Sequence, residues 1–407
     1  MKTADPELMR AINRLLVVDA IRRRGPIARV EISELTELSA TTVSAITAAL
    51  LDDKLIVPHP VGGVRDAARG RPRVLLELNP DAAFVVGVKL GAAAITVAVT
   101  NFRADVLRSL SLPVRVDRQP ITVIADLVED GVRRCAADAG LLVERIGGVC
   151  VGLPGVIERA AGRVRQSPIF RERDVDFALA LRQRLGVPVS IDSDVNLVTL
   201  AEHWFGQARG LDNFLVVSVE ANLGLGIMHN GELFRGANGL SPDLGDLVVG
   251  PPLNGGISRL GAVASEAAIL AEVKAMLQGS EHDLAFRSGK GLDTVLTLAM
   301  QGEERVQAVL ASAGTALGFA IANLIALFAP PKVILTGAVL DADTPLLASL
   351  RERAVALLPR SLTDIAEIVV HRWDDDMWAR GAAAMTLREL YGAPWSTTGP
   401  ALRGLPA

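Results

Sequence analysis

The chain is poor in the residues that staple small folds or bind metals. Its 407 residues include two cysteines, Cys135 and Cys150. One lies in a helical pattern and the other in a strand-like run, at a spacing that suits neither a disulfide framework nor a metal site. Both are read as buried free thiols of a reducing compartment. A secretory signal is not visible, because the first residues are of mixed charge and soon turn amphipathic, so the expected location is cytoplasmic. One long run has no charge, Ala308–Pro331, and its length would let it cross a bilayer. It is rich in Ala, Gly and Thr, lacks aromatic or basic anchors, and leads through Pro330 and Pro331 into a strand pattern. It is therefore expected as a helix buried in an α/β domain, with no membrane partner. No short-period repeat is apparent.

The chain is too long for one ordinary core, which implies two or three domains, and 50% hydrophobic residues suffice to build them. The formal charge of −4 is unevenly spread: residues 1–80 carry +2 and the remainder −6. A nucleic-acid partner is thereby suggested for the first part alone.

Within that first part, Leu8, Ile12, Leu15, Leu16, Val18 and Ile21 form an apolar stripe at helical spacing, ended by Gly25-Pro26. A second short helix is predicted over Val30–Thr36. Ser39 is then placed to cap a third helix, Ala40–Leu51, whose inward face is Val43, Ile46 and Leu50. Two helices joined by so short a turn match a helix-turn-helix, and Lys54–Val57 resembles the first strand of a wing. The Pro- and Gly-rich run Val57–Arg73 carries Arg65, Arg69, Arg71 and Arg73 against one Asp, and is read as wing and linker.

The third helix contains no Lys or Arg, so bidentate reading of guanine is not available from it. Its outward side offers Ala40, Thr41, Thr42, Ser44 and Ala45, of which Thr41, Thr42 and Ser44 are the candidate base-edge contacts. Phosphate contacts must come from Arg22, Arg23, Arg24 and Arg29 before it and from Arg65, Arg69, Arg71 and Arg73 after it, with Arg71 suited to a narrow minor groove. A plain three-helix interaction domain remains the alternative.

From Leu75 the pattern changes. Strands are predicted at 84–90, 93–100, 106–112, 146–152, 187–191, 213–220, 224–230, 332–336 and 366–371, with helices at 120–139, 176–185, 194–206, 258–277, 303–328, 344–358 and 376–390. Three strands with short turns followed by strand-helix alternation imply a mixed sheet. The series begins again near residue 213, as two lobes with a cleft between them would require. Val85–Thr100 reads as strand, tight turn and strand, with glycines at the corner, where a phosphate could sit. An ionisable residue, Lys89, interrupts it.

The ordered motifs resemble the ROK family (repressors, open reading frames and sugar kinases), and within it the regulator branch that carries a winged helix-turn-helix. They are Leu38-Ser39-x-x-Thr42-Val43-Ser44, Gly70-Arg71-Pro72, Gly87-Val88-Lys89-Leu90-Gly91 and Gly152-Leu153-Pro154-Gly155. Next come Asp192-Ser193-Asp194-x-Asn196 leading to Ala201-Glu202, then Gly224-x-Gly226. Gly236-x-x-Gly239-x-Ser241-Pro242-Asp243-Leu244-Gly245-Asp246, Ala262–Glu266, Leu335-Thr336-Gly337 and Gly381-Ala382-Ala383 complete the set. The resemblance spans essentially the whole chain. It implies an α/β architecture: a winged helix-turn-helix with linker over 1–75, one lobe of an actin-like, RNase H-like ATPase-type domain over 76–200, a second over 201–375, and a tail over 392–407. Helix 376–391 would return to the first lobe.

Departures from the family pattern carry the functional expectation. Lys89 stands where the family has an acid that handles the metal, and an ammonium cannot ligate magnesium. Ala92-Ala93 replace Gly-Thr. The position of the family's general base is kept at Asp194, with Ser193 for its Asn companion. Asp243 replaces a glutamate and Asp246 the histidine that would bind zinc and sugar. The cysteine-rich segment is replaced by Pro252–Gly261 without a thiolate, so neither zinc nor any cofactor is expected. The sugar-contacting Glu falls at Gly261 and the Asn after Ser-Pro at Ile169.

The resemblance therefore implies a non-enzymatic regulator, a repressor of carbohydrate-related genes that acts as a homodimer or homotetramer on double-stranded operator DNA. Its effector would be a sugar or derivative held by Ser193, Asp194, Asp243, Asp246 and Lys89. The alternatives are an active ATP-dependent sugar kinase with an appended head, or a regulator with a vestigial cleft. At single residues, Asp192 or Asp194 could instead cap a helix, and Lys89 could be a solvated or salt-bridged side chain.

Overall fold

A computed structural model describes residues 6–60, 74–116, 119–236, 239–241, 243–249, 259–280, 282–340, 344–373 and 375–391. Arg65, Arg69, Arg71, Arg73, Pro242 and most of the segment Pro252–Gly261 lie outside them.

The N-terminal head has three helices, Pro6–Arg24, Arg29–Thr36 and Ala40–Asp52. The first ends where Gly25 N–H donates to the Ile21 carbonyl at 2.7 Å. Ser39 caps the third as expected, its hydroxyl accepting from Thr42 N–H at 3.1 Å. A sheet of Ile27–Ala28, Leu75–Leu78 and Ile56–Pro58, in that order, closes the head. Leu75–Leu78 is its middle strand, with Leu76 and Leu78 buried and Leu75 and Glu77 partly exposed, so the head's hydrogen-bonded sheet runs to Leu78.

The body holds two five-stranded mixed sheets. In the first, Val189–Ser193, Ile146–Leu153 and Phe84–Leu90 run parallel, and Ile95–Thr100 and Val106–Leu112 follow antiparallel. The second comprises Glu232–Leu233, Leu223–His229, Phe214–Val219, Lys332–Thr336 and Glu367–Val370. Each includes a hairpin of two antiparallel, mostly apolar strands, as the sequence pattern indicated. The helix that holds most of the uncharged run, Glu304–Phe328, has the length and apolarity to cross a membrane. It buries Ala313, Leu317, Ile321 and Ile325 in the core of the second sheet and packs along helix Pro345–Leu357.

One prediction fails in detail. The helix expected over 258–277 breaks into Gly261–Ala264 and Glu266–Met276, because Ser265 turns extended and its hydroxyl accepts from Ala268 N–H at 3.1 Å, starting a new helix.

Two helices join the parts. Asp194–Phe205 and the C-terminal Asp375–Leu390 pack on each other and on the first sheet. Their core is continuous with that of the head: Val17, Ile21, Ile32, Val43 and Leu76 belong to the same cluster as Val195, Trp204, Ala382 and Tyr391.

Candidate functional site

The cleft expected between the two lobes falls at the N-terminus of helix Asp194–Phe205, on which the two hairpins converge. The second hairpin reaches the helix through Gly224 and Gly226. A Cβ on Gly224 would lie 2.9 Å from Val195 Cβ, and one on Gly226 would lie 3.1 Å from the Val195 carbonyl oxygen. Spaced two apart in a strand, both glycines present the same face, and side chains there would push the hairpin off the helix.

At this junction Asp194 is half-buried, its Oδ1 accepting from Val195 N–H at 2.8 Å. Burial, and next the nearby Glu220 carboxylate, push it up to about 6, while Lys89 acts in the opposite direction. Glu220 lies at the tip of the second hairpin, and its carbonyl accepts from Glu266 N–H at 2.9 Å. Glu266 is in turn raised by burial and by Glu220. Lys89 Nζ sits 5.2 Å from the Trp378 ring centroid. This junction thus brings Lys89 and Asp194 together and adds two acids, Glu220 and Glu266, that were not among the expected effector residues. One signal for Glu220 was available: like Lys89, it is the ionisable residue at the end of an apolar hairpin strand.

The other expected effector residues are placed differently. Ser193 is buried, and its hydroxyl donates to Ser241 Oγ at 3.2 Å. Asp243 and Asp246 are exposed. Asp243 Oδ1 accepts from Gly245 N–H, and its backbone bridges to Gly224. Burial and then Asp246 raise its carboxyl, while Asp246 itself pairs with Arg259 at 3.1 Å.

Two residues from Asp194, Asp192 belongs to a buried brace. Its Oδ2 meets Arg235 at 2.5 Å and Arg159 at 3.4 Å, and its Oδ1 accepts from Asn196 Nδ2 at 2.7 Å and Ser193 N–H at 2.8 Å. Arg159 also pairs with Glu389 of the C-terminal helix. Burial would raise the Asp192 carboxyl, but Arg235 and Arg159, with Asn196, outweigh it and hold it below the ordinary range. The helix N-cap is Ser193, so neither aspartate caps the helix. Glu202, from the Ala-Glu motif, is fully buried and accepts from His371, Trp373 Nε1 and Gln207 N–H, which ties this helix to the end of strand Glu367–Val370.

On the head, Thr41 and Ser44 are exposed and Thr42 is half-buried. The hydroxyls of Thr41 and Thr42 each lie 2.8 Å from Ser39 Oγ, so they share the cap. Arg29 Nε donates to Thr47 Oγ1 at 2.8 Å, which holds its guanidinium along the third helix. Arg22 requires a correction. Its side chain is 6% exposed, pairs with Asp19 at 2.6 Å and lies 4.0 Å from the Trp204 ring centroid, so it faces the body and not DNA. Arg23 also pairs with Asp19, at 2.6 Å.

With this geometry in view, the comparisons with known proteins are specific. The model of the ROK family matches residues 85–389. The chain belongs to the ROK family. A xylose repressor of Caldicellulosiruptor bescii is 28% identical over 341 residues, which cover 81% of this chain and 83% of that protein. The crystal structure of a ROK family transcriptional regulator, a homologue of the Escherichia coli MLC protein, superposes with a TM-score of 0.79 at 25% identity over 98% of this chain and 100% of that one. The ROK hexokinase of Thermus thermophilus shares the fold, with a TM-score of 0.60 at 24% identity over 74% of this chain and 97% of the kinase. The head is thus matched in a ROK regulator, while the body is matched in regulators and kinases alike. Among the described residues no group of three or more His, Cys, Asp or Glu is placed to hold a metal.

Proposed function

We propose that this protein is a DNA-binding transcriptional repressor of carbohydrate-related genes, whose ROK body senses a sugar without phosphorylating it. The observation that carries the second half is the charge of the two hairpin tips. One bears Lys89, which cannot ligate magnesium. The other bears Glu220, beside Asp194 and Glu266, where the negative charge of a nucleotide phosphate would be repelled. Carboxylates that do not face phosphate serve well as acceptors for hydroxyl groups, and Asp194 is the residue assigned to the sugar. The first half rests on the winged head and on relatives named as repressors.

Such a head acts from a symmetric homodimer or tetramer on a two-fold operator in the cytoplasm. Exposed Thr41 and Ser44 read bases, and Arg29 with the wing arginines Arg65, Arg69, Arg71 and Arg73 contacts phosphate. Sugar binding would alter lobe closure and so the spacing of the heads, a coupling of about 1–3 kcal/mol.

The deciding experiment incubates the protein with Mg-ATP and a panel of pentoses and hexoses. No sugar phosphate is expected; turnover abolished by Asp194→Asn would overturn the proposal. In parallel, Arg71→Ala should weaken operator binding and flatten its salt dependence by about one phosphate contact. An unchanged salt slope would remove Arg71 from the interface.

A further inference from the structure

The head is mounted on the body by the chain itself and by the end of its first helix. Residues 79–83 alone separate the head's middle strand, Leu75–Leu78, from the first body strand, Phe84–Leu90. This connector is bonded on both sides. Asn79 Nδ2 donates to the Lys54 carbonyl at 2.8 Å and Asn79 N–H to the Leu55 carbonyl at 3.0 Å, both within the head. The Pro80 carbonyl accepts from Phe102 N–H of the body at 3.1 Å.

The end of helix Pro6–Arg24 is held twice more. Arg22 is fixed to its own helix by Asp19, whose Oδ1 accepts from Arg22 Nε at 2.9 Å, and its guanidinium lies over Trp204, next to last in helix Asp194–Phe205. Trp204 is 6% exposed and stacks on Tyr391, with ring centroids 5.7 Å apart and the planes 5° from parallel. Tyr391 Oη in turn donates to the Phe102 carbonyl at 2.8 Å, next to the connector's own contact. Arg209 Nη2 donates to the Arg23 carbonyl at 2.6 Å, one of the last-turn carbonyls that no N–H of the helix reaches. Close-packed contacts of this kind do not deform gradually, so the head keeps one orientation while they last.

In a symmetric dimer such a mount has a consequence for DNA. The body then fixes both the separation and the relative twist of the two recognition helices, and one distance between half-sites matches them. Each base pair added at the operator centre moves one half-site by about 3.4 Å and about 35°. A swinging head would follow that change, whereas a mounted one forces the DNA to bend or twist.

We propose that Arg22, Trp204 and Arg209 set the half-site spacing that this repressor accepts, as positioning residues that orient the recognition helix without touching DNA. The inference rests on the reading of the protein as a symmetric dimer on a two-fold operator.

The test uses the full-length protein and an operator duplex that the wild type selects from a random-sequence library. Beside it stand its half-site alone and versions whose centre is one or two base pairs longer or shorter, with affinities read by fluorescence anisotropy. Wild type should lose about tenfold or more for a change of one base pair, the cost of deforming the DNA. Arg22→Leu/Arg209→Ala should lose less than about threefold on the same duplexes and bind the half-site within about twofold of wild type, because the head's own contacts are intact. Arg22→Lys, which keeps a cation over Trp204, should retain the wild-type spacing preference. Arg209→Ala alone changes an exposed residue and tests the mount even where the double variant fails to fold; its penalty should lie between the other two. The proposal is overturned if these variants keep the full spacing penalty, or if half-site binding falls as far as operator binding. Spacing-blind binding by a wild-type dimer overturns this inference alone, whereas binding of isolated half-sites by a monomer overturns the dimeric reading and the inference with it.

Discussion

Asp192 and Asp194 stand two residues apart at the same strand-to-helix junction, yet their surroundings oppose each other. Asp192 is 1% exposed and surrounded by donors: two guanidiniums, an amide and a backbone N–H. Asp194 is half-buried, has one backbone N–H on its Oδ1, and faces Glu220. Both lose water, but only the first is compensated. A matched carboxylate holds a structure together, here by tying Arg235 of the second lobe and, through Arg159, Glu389 of the C-terminal helix to one strand end. An unmatched one is kept at a cost to stability, the pattern expected of the proposed sugar site.

The contrast breaks most visibly at Asp192. Asp192→Ala leaves Arg235 without its ion pair and Arg159 with Glu389 alone, and removal of one partner from a buried pair costs about 3–5 kcal/mol. Urea denaturation should show this loss; a loss below about 1 kcal/mol would mean that the brace is not structural. Asp194→Asn should have the opposite sign. The folded-state carboxyl titrates near 6, above its ordinary 3.8, so between those values the folded chain holds a proton that the unfolded chain releases. Stability from this group therefore falls as pH rises through that window, and the penalty is complete above 6. Asn carries no charge to bury. The variant should thus be more stable than wild type at pH 8, by at most about 3 kcal/mol before solvent screening is allowed for, and equal to it below pH 4. Its sugar response should be lost. A variant less stable than wild type at pH 8 would place Asp194 among the structural carboxylates.

How much of this was legible in the sequence depends on the range of the interaction. The hairpin strands were, because runs such as Phe84–Leu90 and Phe214–Val219 are β-branched and bounded by turn residues. The Ser39 cap was also legible, since its bond to Thr42 N–H is local. Helix Gly291–Met300 escaped, having Lys290 at its N-cap and no side-chain cap to announce it. What separates Asp192 from Asp194 could not be read, because Arg159 and Arg235 arrive from distant segments. Arg22 failed for the same reason: an arginine run beside a helix-turn-helix looks like phosphate contacts until Trp204 is found beneath one of them. At the cleft, Lys89 and Asp194 were identified as family positions, whereas Glu220 and Glu266 required the hairpin to be folded against the helix.

The smallest expected effect sharpens the cause of the mismatch. Two influences raise Asp194, burial first and Glu220 second, and Glu220→Gln removes only the second. The pH midpoint of the Asp194 effect should move down from about 6 yet stay above 3.8, with a gain at pH 8 on the order of 1 kcal/mol. The measurement is the difference in unfolding free energy between Glu220→Gln and Glu220→Gln/Asp194→Asn across pH 3.5–8, because Glu266 also feels Glu220 and its contribution cancels in that difference. A midpoint that returns to 3.8 would make the hairpin tip the whole cause, and the cleft would then be open to water. A midpoint that does not move would mean that the tip of the second hairpin does not reach the helix, and the case against phosphoryl transfer would have to rest on the inability of Lys89 to ligate magnesium.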